Sequence, residues 1–249
     1  MSFLRQFTKA SIFVLLAFFS IMGSTSAQNI VDILASGIDY DKRGKYDKAI
    51  IEFSQAISVN PNYADAYLNR GISYIHQANN EQAIIDLSRA IEIDQNLVKA
   101  YFNRGLAYAF KKDYDKAILD FSKAIEISPD YIAAYINRGN AYAYKGDYDP
   151  AIADFSKAIE IQPNDAQIYC NRGNIYIYKS SKDLAISDFN KVIEIDPNFA
   201  DAYYNLAFIY FSSSDFVKAW ENVHKAESLG YKIDNDFINK LKKASIRDK

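Results

Sequence analysis

Residues 98–129 read Val-Lys-Ala-Tyr-Phe-Asn-Arg-Gly-Leu-Ala-Tyr-Ala-Phe-Lys-Lys-Asp-Tyr-Asp-Lys-Ala-Ile-Leu-Asp-Phe-Ser-Lys-Ala-Ile-Glu-Ile-Ser-Pro. Phe102, Leu106, Ala109 and Phe110 fall at helical spacing in the first half. Lys112-Asp113 marks a short turn, and a second helix is predicted from Tyr114 to Ile127. Ser128-Pro129 stops it, because proline lacks the backbone donor and pushes its predecessor out of the helical region. The same stretch recurs along the chain. Tyr-x-Asn-Arg-Gly stands at Tyr67–Gly71, Tyr101–Gly105, Tyr135–Gly139 and Tyr169–Gly173, each start 34 residues after the last. Ala-Ile-x-Asp-Phe follows at Ala117–Phe121, Ala151–Phe155 and Ala185–Phe189, with Ala83–Leu87 as its variant.

A period of this length marks stacked supersecondary units. Extending the frame predicts six units, at 30–63, 64–97, 98–131, 132–165, 166–199 and 200–233. The tail 234–249 is read as a capping helix, with Asp234 at its start and Phe237, Leu241 and Ala244 on one stripe. Ile233 and Ile238 are placed as a hydrophobic staple.

Composition agrees with an all-α chain. Only 9 Gly and 5 Pro among 249 residues leave little turn chemistry for a many-stranded sandwich or barrel. A single Cys excludes an intrachain disulfide framework and a Cys-rich metal site. The net charge of −2 is no footprint for nucleic acid, which needs a concentrated basic surface.

The N-terminus reads as a signal peptide over 1–27. Arg5 and Lys9 precede the apolar run Ala10–Met22, whose 13 residues fall short of the ~20 that span a bilayer. Thr25-Ser26-Ala27 before Gln28 then fits a cleavage site. This predicts an exported protein, periplasmic or secreted, with no membrane span after processing; the alternative is an uncleaved N-terminal anchor.

The repeat resembles the tetratricopeptide repeat (TPR) family over residues 30–233. Tyr67, Tyr101, Tyr135, Tyr169 and Tyr203 look like its first signature aromatic. Gly37, Gly71, Gly105, Gly139, Gly173 and Ala207 match its close-packing small residue. Tyr40, Tyr74, Tyr108, Tyr142, Tyr176 and Tyr210 match its next aromatic. The resemblance implies a right-handed superhelical solenoid of six helix-turn-helix repeats, with first helices lining a concave groove and second helices outside. It also implies a non-catalytic scaffold for protein or peptide partners, without metal or cofactor.

Arg70, Arg104, Arg138 and Arg172 stand where the family commonly has an aliphatic residue. Asp86, Asp120, Asp154 and Asp188 each follow by 16 residues, while Ser36 and Leu206, which replace the arginine, are matched by Glu52 and Asn222. Arginine and aspartate therefore come and go together, which predicts inter-helix ion pairs within or between neighbouring units rather than an anion site.

By the resemblance, the groove-facing places run through Asp65, Leu68, Asn69, Ile72, Ile75 and His76 and their equivalents in later units. Only Asp65, Lys99 and Asp201 of these thirty places are charged. One ladder, Asn69, Asn103, Asn137, Asn171 and Asn205, offers donor and acceptor together and suits the main chain of an extended peptide. Similar ladders occur in TPR superhelices that hold extended peptides. Lys99, Phe110, Tyr144 and Tyr178 complete the expected peptide-binding groove; the alternative is that these asparagines and aromatics bridge neighbouring helices. Lys99 stands alone with Asn103, so the carboxylate clamp that grips chaperone tails is not expected. No catalytic residues are assigned: His76 and His224 lie in different units, and Cys170 fills a place held elsewhere by Leu68, Phe102, Ile136 and Tyr204. The favoured reading is a protein-binding scaffold in a bacterial envelope, against a secreted adaptor acting on host proteins or an accessory subunit of an envelope enzyme.

Overall fold

The computed structural model describes residues 29–247, so the reading of 1–27 as a signal peptide lies outside the described residues. Thirteen helices and no strand occur among them. The first, α1, covers 29–42. It is followed by α2 (Tyr46–Val59), α3 (Ala64–His76), α4 (Asn80–Ile93), α5 (Val98–Phe110), α6 (Tyr114–Ile127) and α7 (Ile132–Lys145). The remaining elements are α8 (Tyr148–Ile161), α9 (Ala166–Tyr178), α10 (Lys182–Ile195), α11 (Ala200–Ser212), α12 (Phe216–Ser228) and α13 (Asn235–Arg247). The protein is an all-α repeat fold. It divides into two compact units, with the boundary between Lys116 and Ala117 inside α6. No described helix is long and apolar enough to cross a membrane.

The turns between helices recur as faithfully as the helices. Gly44, Ala78, Lys112, Gly146, Ser180 and Ser214 all take positive φ, between 58° and 84°. A left-handed residue lets the next amide reverse and bond backwards. Lys45, Asn79, Asp113, Asp147, Ser181 and Asp215 donate to the carbonyls of Tyr40, Tyr74, Tyr108, Tyr142, Tyr176 and Tyr210, at 2.8–2.9 Å. Only two of the six places carry glycine, so tight helix pairing, not turn propensity, imposes the conformation at the others. The first signature tyrosines are anchored too: Tyr135 and Tyr203 donate their hydroxyls to the carbonyls of Pro129 and Pro197, each at 3.2 Å.

Within the first unit, Leu68, Ala83, Leu87, Ala90, Ala100 and Ala107 form one buried cluster. Gly71 makes it possible, since a Cβ there would sit 2.8 Å from Leu87. Within the second unit, Gly139 and Gly173 lie against Phe155 and Phe189, and added Cβ atoms would meet those rings at 3.2 and 3.1 Å. At the last such place Ala207 replaces glycine, and Val223 replaces the ring in the same buried cluster. Volume gained on one helix is thus given up on its partner, as close packing demands.

The helix α13 packs Phe237 and Leu241 against Ala207, Ala219 and Val223, with Ile233 and Ile238 alongside. Six residues, 229–234, separate it from α12, against four, 196–199, between α10 and α11. The longer link shifts its register, so that Phe237 and Leu241 take the places of Ala202 and Leu206, all four buried. The small-residue place then falls on exposed Lys242. A second helix cannot approach closely there.

Candidate functional site: the exposed face of the first helices

The repeated arginines are structural. In the first unit, Arg70 on α3 grips Asp86 on α4 with both arms, Nε to Oδ2 at 2.7 Å and Nη2 to Oδ1 at 2.8 Å. Its third nitrogen donates to Ser54 on α2 at 2.9 Å, and its guanidinium lies 5.7 Å from the Tyr67 ring centre. Asp86 is only 4% exposed. In the second unit, Arg138 and Arg172 repeat the arrangement with Asp154 and Ser122, and with Asp188 and Ser156. Arg104 donates to Ser88 at 2.9 Å. The hydrogen bonds that Arg70, Arg138 and Arg172 donate to their aspartates are the main reason these guanidinium groups hold their protons above the ordinary value. The aspartate thus lies in the same repeat as its arginine, and the serine in the preceding one. Sequence reasoning missed these serines, although Ser54, Ser88, Ser122 and Ser156 share the same period and Asn190 breaks the column before Leu206.

The arginines turn to the second helices, and the asparagines, about 100° away around the first helices, are partly exposed. In the first unit, Asn69 and Asn103 donate their amide nitrogens to the carbonyls of Asp65 and Lys99 four residues back, both at 2.7 Å. In the second, Asn137 does the same to Ala133 at 2.8 Å. These local bonds fix the side-chain rotamers and leave each Oδ1 without a hydrogen bond among the described residues. Asn171 instead accepts from Gln167 at 2.9 Å, and Asn205 donates to Asn174 on α9 at 3.1 Å. Of the five ladder asparagines, Asn205 alone bridges helices among the described residues.

Three aromatics stand at the C-terminal ends of first helices: Phe110, 63% exposed, in the first unit, and Tyr144 and Tyr178, 74% and 69% exposed, in the second. Tyr178 also stacks on Tyr148 at 5.8 Å with rings 8° from parallel, so one of its faces is already committed to a neighbouring repeat. Beside two of these rings a lysine reaches back to an acid, Lys111 to Glu81 and Lys179 to Asp149. The Lys99 side chain is exposed and makes no ion pair among the described residues.

Two places expected to face the groove do not. Leu68 and Cys170 are each 4% exposed and belong to the buried clusters. They sit one position before the asparagine and turn toward the adjoining second helix. Burial, with the Asp201 charge as a smaller cause, pushes the Cys170 thiol up to about 11, which keeps it protonated and unreactive at neutral pH. His76 approaches Asp41 at 3.3 Å, and the same carboxylate accepts from buried Ser73 at 2.6 Å. His224 stacks on Trp220 at 5.5 Å. The two histidines share no site.

Family models described as TPR repeat match residues 39–77, 73–111, 139–180 and 173–213, and one described as tetratricopeptide repeat matches 98–131. No curated protein matches the chain. Among solved structures, MamA is similar at 27% identity over 66% of this chain and 96% of its own, with a TM-score of 0.62. YrrB, described as a TPR protein with an unusual peptide-binding site, is similar at 27% identity over 71% of this chain and 91% of its own, TM-score 0.62. PilF of Pseudomonas aeruginosa shares the fold at 15% identity over 82% of this chain and 93% of its own, TM-score 0.70. On the matched repeats and the helix pairs that carry them, the chain belongs to the tetratricopeptide repeat family.

Proposed function

We propose that the protein is a non-catalytic scaffold that binds an extended peptide or a partner helix along the exposed face of its first helices. The reading assigns six repeats over 30–233, a capping helix in 234–249, and export behind a signal peptide at 1–27, into a bacterial periplasm or beyond the cell. The observation that supports it best is the state of the asparagines. Asn69, Asn103 and Asn137 are held in place by their own helices, yet each keeps a carbonyl oxygen unbonded among the described residues. A preorganised acceptor aimed outward suits the amide of an extended chain, because little side-chain entropy remains to be lost on binding. Phe110, Tyr144 and Tyr178 would supply apolar contacts beside it. The peptide-binding character described for YrrB supports the same class of function here.

Replacing Asn103, Asn137 and Asn171 together by alanine tests the reading. The triple variant is expected to keep its helical content and melting temperature within a few degrees and to lose cross-linked partners recovered from the native cell. Equal recovery by variant and wild type would sink it. Fractionation of that cell tests export: retention of the unprocessed chain in the cytoplasm would reject the signal peptide.

A further inference from the structure

The second unit carries a chemistry along α11 that the repeat itself does not call for. Asp201, Tyr204, Asn205 and Phe208 fall at i, i+3, i+4 and i+7, one face of a helix. Asp201 is exposed, and no lysine or arginine pairs with it among the described residues. Burial raises the Tyr231 phenol and the Cys170 thiol, with the Asp201 charge a smaller cause of both, and Asp201 lies one helical turn before an aromatic wall that begins at Tyr204. That wall is continuous: Tyr204 stacks on Tyr231 at 4.8 Å and meets Phe237 edge-on at 5.8 Å, and Phe208 lies 6.3 Å from Phe237 while remaining 44% exposed.

The neighbouring first helices have a different character. The place of Phe208 is held by Asn174 on α9 and Asn140 on α7; Asn174 is already engaged, accepting from Asn205 at 3.1 Å with its amide nitrogen 3.9 Å from the Cys170 sulfur. Asn140 is partly exposed, and its side chain makes no hydrogen bond among the described residues. The Asn137 carbonyl oxygen and the Asn171 amide nitrogen are open in the same way, since the bonds these side chains make use their other atoms. Amides on α7 and α9 can therefore read a main chain, and α11 ends the row with a carboxylate one turn before the exposed aromatic stripe. A carboxylate with no basic partner, one turn from a tyrosine ring, complements a cation through charge and through the ring quadrupole together.

Resting on the reading of this face as a peptide-binding groove, we propose that α7, α9 and α11 accept an extended peptide carrying a lysine or arginine side chain at Asp201, beside Tyr204. The amides hold the peptide without regard to its sequence, and the α11 stripe selects its charge.

Fluorescein-labelled Gly-Phe-Lys-Phe-Gly and its counterparts with glutamate or norleucine in place of lysine are the probes, titrated into the full-length protein. The lysine peptide is expected to bind about tenfold more tightly than the glutamate peptide at low salt, as expected where an opposite charge replaces a like one beside a partly exposed carboxylate, and the gap should narrow as salt rises. Asp201→Asn is expected to close that gap to within about twofold, as for a group that selects by charge. Side-chain amide NMR signals of Asn140 and Asn171 should move with every bound peptide. If all three peptides bind with equal affinity and move those signals, charge selection at Asp201 is wrong while the groove stands. If none binds, or binding leaves Asn140 and Asn171 unmoved, the groove reading falls and this proposal with it.

Discussion

Arg138→Leu isolates what the repeated ion pair does. Arg138 meets Asp154 through two hydrogen bonds of 2.8 and 2.7 Å, Nε to Oδ2 and Nη2 to Oδ1. The aspartate is 5% exposed, so water cannot replace the lost partner. Two charge-assisted bonds at ~1.5–3 kcal/mol each bracket a loss of about 3–6 kcal/mol. Removing one partner of a buried pair typically costs ~3–5 kcal/mol, which agrees. Ser122 is not stranded, because its hydroxyl can turn to its own helix as Ser54 does toward Ile50 at 2.6 Å. For a chain of this length the loss corresponds to a melting temperature lower by roughly 6–24 °C. The protein already contains the repaired version: Leu206 and Asn222 stand at these two places in the last pair, with Leu206 buried and the Asn222 amide bonded to the Lys218 carbonyl at 2.9 Å. Arg138→Leu with Asp154→Asn is therefore expected to recover to within about 2 kcal/mol of wild type, since no buried charge is left unpaired. Thermal and urea unfolding followed by far-UV circular dichroism measure both. A single variant that melts like wild type, or a double variant no better than the single, would refute the argument.

Three further outcomes follow from the packing. Gly37→Ala should destabilise more than Gly139→Ala, because the added Cβ would meet Phe53 at 2.5 Å but Phe155 only at 3.2 Å; with overpacking at ~1–3 kcal/mol set against ~1 kcal/mol of helix propensity gained, the second change is expected to be near neutral in urea unfolding. Leu241→Ala, at a fully buried place on α13, should cost ~2–5 kcal/mol and promote aggregation in light scattering, whereas an unchanged melt would show that α13 contributes nothing to the last pair. Cys170 should react with thiol reagents in the folded protein only as pH approaches about 11, rather than near the ordinary value of 9. The native state holds that proton more tightly than the unfolded chain, so stability is expected to fall as pH rises through the same window, and ready labelling of native protein at pH ~8 would contradict the burial.

The helices, their pairing and the turn positions were legible in the sequence because a period of 34 residues samples the same local physics again and again. Periodic apolar places, terminal prolines and recurring small residues each mark a helix or its contact, and repetition separates them from chance. The coupling of arginine to aspartate was legible for the same reason, since Leu206 and Asn222 change together. Which helix supplied each partner was not, because a period states that two columns vary together and says nothing of direction through space. Tertiary structure decided that the aspartate lies within the repeat and that a serine from the preceding helix pair completes the grip. It also decided that Leu68 and Cys170 turn inward while the next residue turns out, a difference of about 100° around a helix that places them in the core. The turn residues show the same division of labour. Sequence places Ala78, Lys112, Ser180 and Ser214 between helices, but only the packed pair holds them at positive φ, where their own side chains would not go.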